Sequence, residues 1–135
     1  MSASESLRND QFHMHLYHGT SASHVSDIME KGLGHYGDTP GSYLTHDYDL
    51  ALDYANDYED PTVLTVRANP RNLRVDWNSF DEPVHGYAED ENRRTFDPSK
   101  LRNRETDWKN SLRETGAVFH KGVIKPRNII DVETL

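Results

Sequence analysis

The clearest single element in the sequence is Thr62–Arg67 (TVLTVR), a run of β-formers shut between Asp60-Pro61 and Asn69-Pro70. Ahead of it, strand-like and helix-like stretches alternate. Phe12–Tyr17 reads as a strand that finishes near His18. Val25, Ile28 and Met29 recur at helical spacing, with Ser21 or Ser23 as N-cap and Gly32 as the stop. Gly34–Ser42 carries Gly, Asp and Pro and reads as a loop, and Tyr43–Thr45 as a short strand. Thr45 or Asp47 then caps a second helix, on which Leu50, Ala51, Tyr54, Ala55 and Tyr58 form one stripe.

Beyond Asn69-Pro70 the elements shorten. Leu73–Trp77 reads as extended, and Asn78–Arg104 as polar loops with one helical turn near Ala88–Arg94. Glu105–Glu114 is expected to be helical through Trp108 and Leu112. Ala117–Phe119, Val123–Ile124 and Ile129–Val132 give short strands around a turn at Pro126. The chain has 135 residues, no internal repeat and no linker, which suits one α+β domain over 12–135 after a frayed lead-in at 1–11.

Composition narrows the function classes. The absence of cysteine removes disulfides, thiol nucleophiles and cysteine-ligated zinc, and suits a cytoplasmic protein. No apolar run is long enough to span a bilayer, and MSASESLRND lacks the apolar core of a secretory signal. A formal net charge of -8 disfavours nucleic-acid backbones. Arg93, Arg94, Lys100, Arg102 and Arg104 cluster, but read as part of a solvated mixed-charge stretch. His13-x-His15 puts two imidazoles on one strand face without a third ligand at a telling distance, so it reads as solvent-facing or core-edge histidine.

The chemistry-bearing residues concentrate between Leu16 and Tyr58. Leu16-Tyr17-His18-Gly19-Thr20 is followed by the first helix, Gly32-Leu33, a Gly/Pro loop, Gly41-Ser42-Tyr43-Leu44-Thr45 and the helix bearing Ala51-x-x-Tyr54-Ala55. A histidine can fix a sugar hydroxyl, glycine lets a backbone approach a ligand closely, and tyrosine faces suit a flat ring. Taken singly, His18, Tyr43 and Tyr54 also fit bland strand-end and core roles.

Together they resemble the catalytic core of ADP-ribosyltransferases of the His-Tyr-acid class, which includes the poly(ADP-ribose) polymerases and the small rifampin ADP-ribosyltransferases. The resemblance covers about 45 residues well. It implies an ADP-ribosyltransferase-like domain of small split β-sheets, with two short helices after the first strand. It implies NAD as substrate, with His18, Gly19, Thr20, Tyr43 and Tyr54 holding the nicotinamide end. Here His18 would donate a hydrogen bond to the ribose. The reaction implied is cleavage of the nicotinamide–ribose bond and transfer of ADP-ribose to an acceptor.

Such a reaction calls for a carboxylate near the developing positive charge. In the family this is usually a Glu on a strand ahead of a turn of the type found here at Gly122-Val123-Ile124-Lys125-Pro126-Arg127-Asn128-Ile129, and the corresponding position is Ala117. Three outcomes stay open. Asp76 resembles the acid of the rifampin-type enzymes and is the favoured choice, though a turn-closing role also fits it. Glu114 reaches the site if the chain bends at Gly116. Otherwise no acid is present and the domain binds NAD or ADP-ribose without turnover. An NAD-dependent RNA 2′-phosphotransferase ranks third, because it needs arginines near the His18 motif. The acceptor is expected to be selected by Gly34–Ser42 and Asn78–Arg104, where Phe80, Tyr87 and Phe96, with neighbouring Trp77, offer aromatic area.

Overall fold

Short alternating runs of β-branched and small residues cannot satisfy their backbone alone, and here they do so side by side. The computed structural model describes residues 13–35, 40–77, 79 and 105–135. Among these, six strands form one antiparallel sheet: β1 (Met14–Ser21), β2 (Gly41–Thr45), β3 (Pro61–Ala68), β4 (Leu73–Val75), β5 (Ala117–Lys121) and β6 (Ile129–Thr134). Their order across the sheet is β4-β5-β2-β1-β3-β6. Three helices complete the described fold: α1 (Ala22–Lys31), α2 (Tyr48–Ala55) and α3 (Trp108–Thr115).

Register decides what faces what. β1 and β3 pair along their full length, from Met14↔Ala68 to Ser21↔Pro61. β2 pairs with β5 from Gly41↔Lys121 to Thr45↔Ala117. Between β1 and β2, by contrast, the register holds one partnered pair, Tyr17↔Thr45. Paired residues share a face and neighbours alternate. Leu16, Leu64, Val66, Leu44, Val118 and Leu73 therefore point one way, into a core closed by Ile28 of α1 and Leu112 of α3. Tyr17, Gly19 and Val63 point the other way, against Ala51 and Ala55 of α2.

The first helix forms where its end signals place it. Ser21 caps α1 by accepting from the Ser23 amide, and Gly32 ends it at φ 95°. Asp47 caps α2, accepting from the amides of Asp49 and Leu50. α3 stops at Gly116 in the left-handed region, φ 76°.

Four expectations are corrected. The sheet is continuous, because the Tyr17↔Thr45 pair joins what was expected as split halves. β1 does not finish near His18 but runs to Ser21, since β3 is long enough to partner it that far. Gly41 and Ser42 belong to β2, held by Lys121 and His120 of β5, where a loop was expected. α2 ends at Ala55, so Tyr58 lies in the following turn; the helical stripe buries Leu50, Ala51 and Ala55 and leaves Tyr54 exposed. The frayed lead-in at 1–11 and the expected turn near Ala88–Arg94 lie outside the described residues. No helix among the described residues is long and apolar enough to cross a membrane.

Candidate functional site

A cleft of about 420 Å³ opens beside the single β1–β2 pair, on the sheet face that α2 covers. Its position follows from the register. Below Tyr17↔Thr45 the two strands hold no further partnered pair, and α2 packs mainly over β1 and β3, with a smaller contact to β2. Tyr17, Tyr43, Thr45 and Ala117 share the cleft-side face through the pairs Tyr17↔Thr45 and Thr45↔Ala117. Tyr54 and Tyr58 approach from α2 and the turn after it, and Asp76 and Ser79 from the segment after β4.

His18 reaches this cleft from an unexpected direction. Alternation puts it on the face of Leu64, its partner in β3, yet its ring Nδ1 lies 2.8 Å from the Tyr43 carbonyl oxygen. A carbonyl only accepts, so Nδ1 carries the proton and donates. The imidazole thus bridges β1 and β2 where their ladder has stopped. Burial pushes the His18 pKa below its ordinary value of 6.5; the Tyr43 bond opposes this, and the nearby His24 adds to the lowering. At neutral pH His18 is therefore uncharged, with Nε2 as an acceptor. This revises the donor role expected for it: a ligand hydroxyl would donate to Nε2.

Gly19 lines the cleft, but its need for glycine comes from packing. A Cβ there would meet the Ala51 carbonyl oxygen at 2.1 Å and the Ala55 amide nitrogen at 2.8 Å. The absent side chain lets the α2 backbone lie directly on β1. Thr20 is buried, its hydroxyl 3.1 Å from His24 Nδ1, and it is not part of the cleft wall. Its contact is to α1.

Tyr43 and Tyr54 both line the cleft and are 48% and 40% exposed. Tyr43 is backed by Phe119, with centroids 5.2 Å apart and the rings tilted at 58°. Burial and the charge of Asp76 raise the Tyr54 pKa above 10.0, against a lowering hydrogen bond with Ser79. Its phenol stays protonated across the physiological range.

Of the three openings for an acid, Asp76 is the carboxylate that the fold brings to the cleft beside Ala117. β4 pairs with β5 through Val75↔Val118, and one further antiparallel step sets Asp76 level with Ala117. Both line the cleft. The carboxylate thus stands just past the end of the neighbouring strand β4, beside the position where the resemblance expects a Glu. Asp76 is 3% exposed; its Oδ1 accepts from the Ser79 amide at 3.1 Å and its Oδ2 from the Ser79 hydroxyl at 2.7 Å. A carboxylate has about four acceptor sites, so this pairing leaves capacity toward the cleft. The Asp76 amide is itself held by Ser111 Oγ at 3.0 Å, and Ser111 donates to the Ala117 carbonyl at 2.7 Å. Glu114 is directed elsewhere: it pairs with Arg113 at 3.1 Å and does not line the cleft. His120, on the opposite face by alternation, donates from Nδ1 to the Gly122 carbonyl at 3.0 Å.

Ser79, Thr45 and Asp57 also line the cleft and were not singled out from the sequence. Ser79 carried a faint signal, since Asp76-x-x-Ser79 has the spacing of an N-capping carboxylate and the amide it binds. The described lining contains two carboxylates, Asp57 and Asp76, and neither lysine nor arginine. Exposed tyrosine faces beside a buried carboxylate suit a flat ring bearing positive charge. The same lining is a poor grip for a phosphate backbone. Compared with known proteins, the chain matches no family model and no curated protein.

Proposed function

We propose that this protein is an NAD-dependent mono-ADP-ribosyltransferase whose cleft takes the nicotinamide end of NAD. The observation that carries the reading is the convergence of His18, Tyr43, Tyr54 and Asp76 on one cleft, although they come from four separate segments. The nicotinamide ring of NAD is flat and cationic, which matches two tyrosine faces beside a carboxylate. His18 Nε2 accepts from a hydroxyl of the adjoining ribose and fixes its orientation.

In the reaction the bond from ribose C1′ to the nicotinamide nitrogen breaks, and its electron pair leaves with nicotinamide. Positive charge develops on the ribose as an oxocarbenium-like state, which the Asp76 carboxylate stabilises. The acceptor nucleophile then attacks C1′ and gives up its proton, for which Asp76 is the nearby base.

The absence of a Glu at position 117 motivates a second reading, an NAD or ADP-ribose binding module without turnover. In that reading Asp76 serves only to cap the turn that contains Ser79. Incubation with NAD carrying labelled nicotinamide separates the two. Release by the wild-type protein and its loss in His18→Ala, at unchanged folding, is the expected result. NAD binding by calorimetry with no release selects the idle module, and neither binding nor release rejects both.

A further inference from the structure

Nicotinamide held between Tyr43 and Tyr54 accounts for only part of the cleft. Asp57 and Tyr58 also line it, and neither the ring nor the bond that breaks needs them. The two residues sit together in the turn after α2. The Asp57 amide donates to the Tyr54 carbonyl at 3.3 Å and the Tyr58 amide to the Ala55 carbonyl at 2.9 Å, which fixes the turn against the helix end. The Tyr58 ring is held from α1, where His24 meets it in a T-shaped contact with centroids 5.8 Å apart. His24 is fixed in turn by Thr20, whose hydroxyl lies 3.1 Å from its Nδ1. Tyr58 is thus a braced ring that stays exposed beside a carboxylate, as Tyr43 is braced by Phe119.

Charge says what this pair would receive. The segment 47–60 holds six carboxylates and neither lysine nor arginine. Four of them, Asp53, Asp57, Glu59 and Asp60, are exposed and form no ion pair among the described residues. Crowded like charges repel, and a cation laid on them relieves that repulsion. A carboxylate next to an aromatic ring is the pairing that holds an ammonium or a guanidinium. Of these four acids only Asp57 lines the cleft, so the negative surface extends beyond the cavity. That extent fits a peptide with several basic residues better than a small cation. We propose that Asp57 and Tyr58 form the acceptor subsite and that the acceptor is a basic side chain of a peptide segment, whose further basic residues lie along Asp53, Glu59 and Asp60. This rests on the reading of the cleft as an NAD site. In the transfer the acceptor nitrogen forms its bond to C1′, nicotinamide leaves with the electron pair of the old bond, and one proton of the acceptor nitrogen passes to Asp76 and on to solvent.

The test reads binding first, without turnover. Fluorescent peptides of equal length, rich in arginine, in lysine or in glutamate, are titrated with the protein and followed by anisotropy. The basic peptides are expected to bind and the acidic one not. Asp57→Asn is expected to weaken that binding about tenfold, the scale of one charge-assisted hydrogen bond. Tyr58→Leu should weaken it about fivefold, the scale of a cation on an aromatic ring. Glu30→Gln removes the same charge from the exposed last turn of α1 and is expected to leave affinity within about twofold. That control separates a subsite from general attraction to a chain of net charge -8. With NAD labelled in its ADP-ribose part, label is expected on a basic peptide, and whether the arginine or the lysine peptide carries it names the acceptor group. Basic peptides that bind no better than the acidic one, or an Asp57→Asn variant as harmless as Glu30→Gln, overturn the proposal. Label that goes to the acidic peptide, to added nucleic acid or to water alone overturns it too. If no nicotinamide is released with any peptide while the basic peptides still bind through Asp57, the enzymatic reading fails and the basic-peptide surface stands.

Discussion

On one face of the sheet, Leu16, Leu64 and Val66 are sealed beneath α1 and α3, with Ile28 and Leu112 closing the layer. On the other, α2 packs Ala51 and Ala55 onto Val63 and Gly19, and beyond that small contact Tyr17, Tyr43 and Thr45 border the cleft. The closed face is apolar and continuous across five strands, from Leu73 on β4 through Val118, Leu44 and Leu16 to Leu64 on β3. The open face holds Tyr54, Asp57 and Asp76 of the cleft, with His18 turned into it through the gap between β1 and β2. Stability and chemistry are therefore borne by opposite sides of the same strands, and substitutions on the two sides should separate cleanly.

The largest effect belongs to the closed face. Leu64 is fully buried in the larger core, so Leu64→Ala is expected to cost about 3 kcal/mol in denaturant unfolding. NAD affinity of the protein that stays folded should be unaltered. A cost below about 1 kcal/mol would mean that the closed face does not carry the fold.

Gly19→Ala sits at the boundary between the two faces. Its Cβ would overlap backbone atoms of α2, which cannot swing aside as a side chain can. The expected cost is about 2 kcal/mol, with α2 displaced and the cleft loosened. Hydrogen exchange localises this: α2 amides should lose protection while β3 amides, paired with β1, hold theirs longer. Uniform loss across the sheet would break the distinction between the faces.

The smallest effect is one of pH and concerns the open face alone. His18 has its pKa below 6.5 in the folded protein, so the folded state favours its neutral form. Its contribution to stability is complete above that value and is lost as pH falls through it, because the unfolded chain then binds the proton more readily. Nε2 also loses its acceptor role on protonation. Nicotinamide release is thus expected to be flat above pH 6.5 and to fall below it, whereas His18→Ala should show no such limb in NAD binding. An activity that rises on acidification would contradict a neutral His18.

Much of this division is legible in the sequence, because it is written locally. Ser21 and Gly32 announce α1, Asp47 announces α2, and the TVLTVR run between two prolines announces β3. His18, Gly19, Tyr43, Tyr54 and Asp76 could be nominated from motif spacing, and the fold brings all five to one cleft. What local spacing does not encode is register between distant strands. That Asp76 stands level with Ala117 depends on Val75 pairing with Val118. That Ser79 enters the site depends on the turn after β4, in a stretch whose polar composition suggested only a loop. Tyr54 looked like a core residue because its helix has an apolar stripe, but the helix is short and ends before the stripe closes over it. Even the tautomer of His18 follows from a carbonyl on another strand.

The central claim, that the cleft holds nicotinamide between Tyr43 and Tyr54, is tested most directly by ring-selective NMR of ¹³C-tyrosine protein titrated with nicotinamide and then with NAD. Tyr48 supplies an internal control, since it shares α2 with Tyr54 but turns its phenol to Glu133 of β6. The expected result is that the ring signals of Tyr43 and Tyr54 shift with both ligands and saturate together, while Tyr48 stays in place. Signals of Tyr43 and Tyr54 that do not respond to either ligand at millimolar concentration would contradict it.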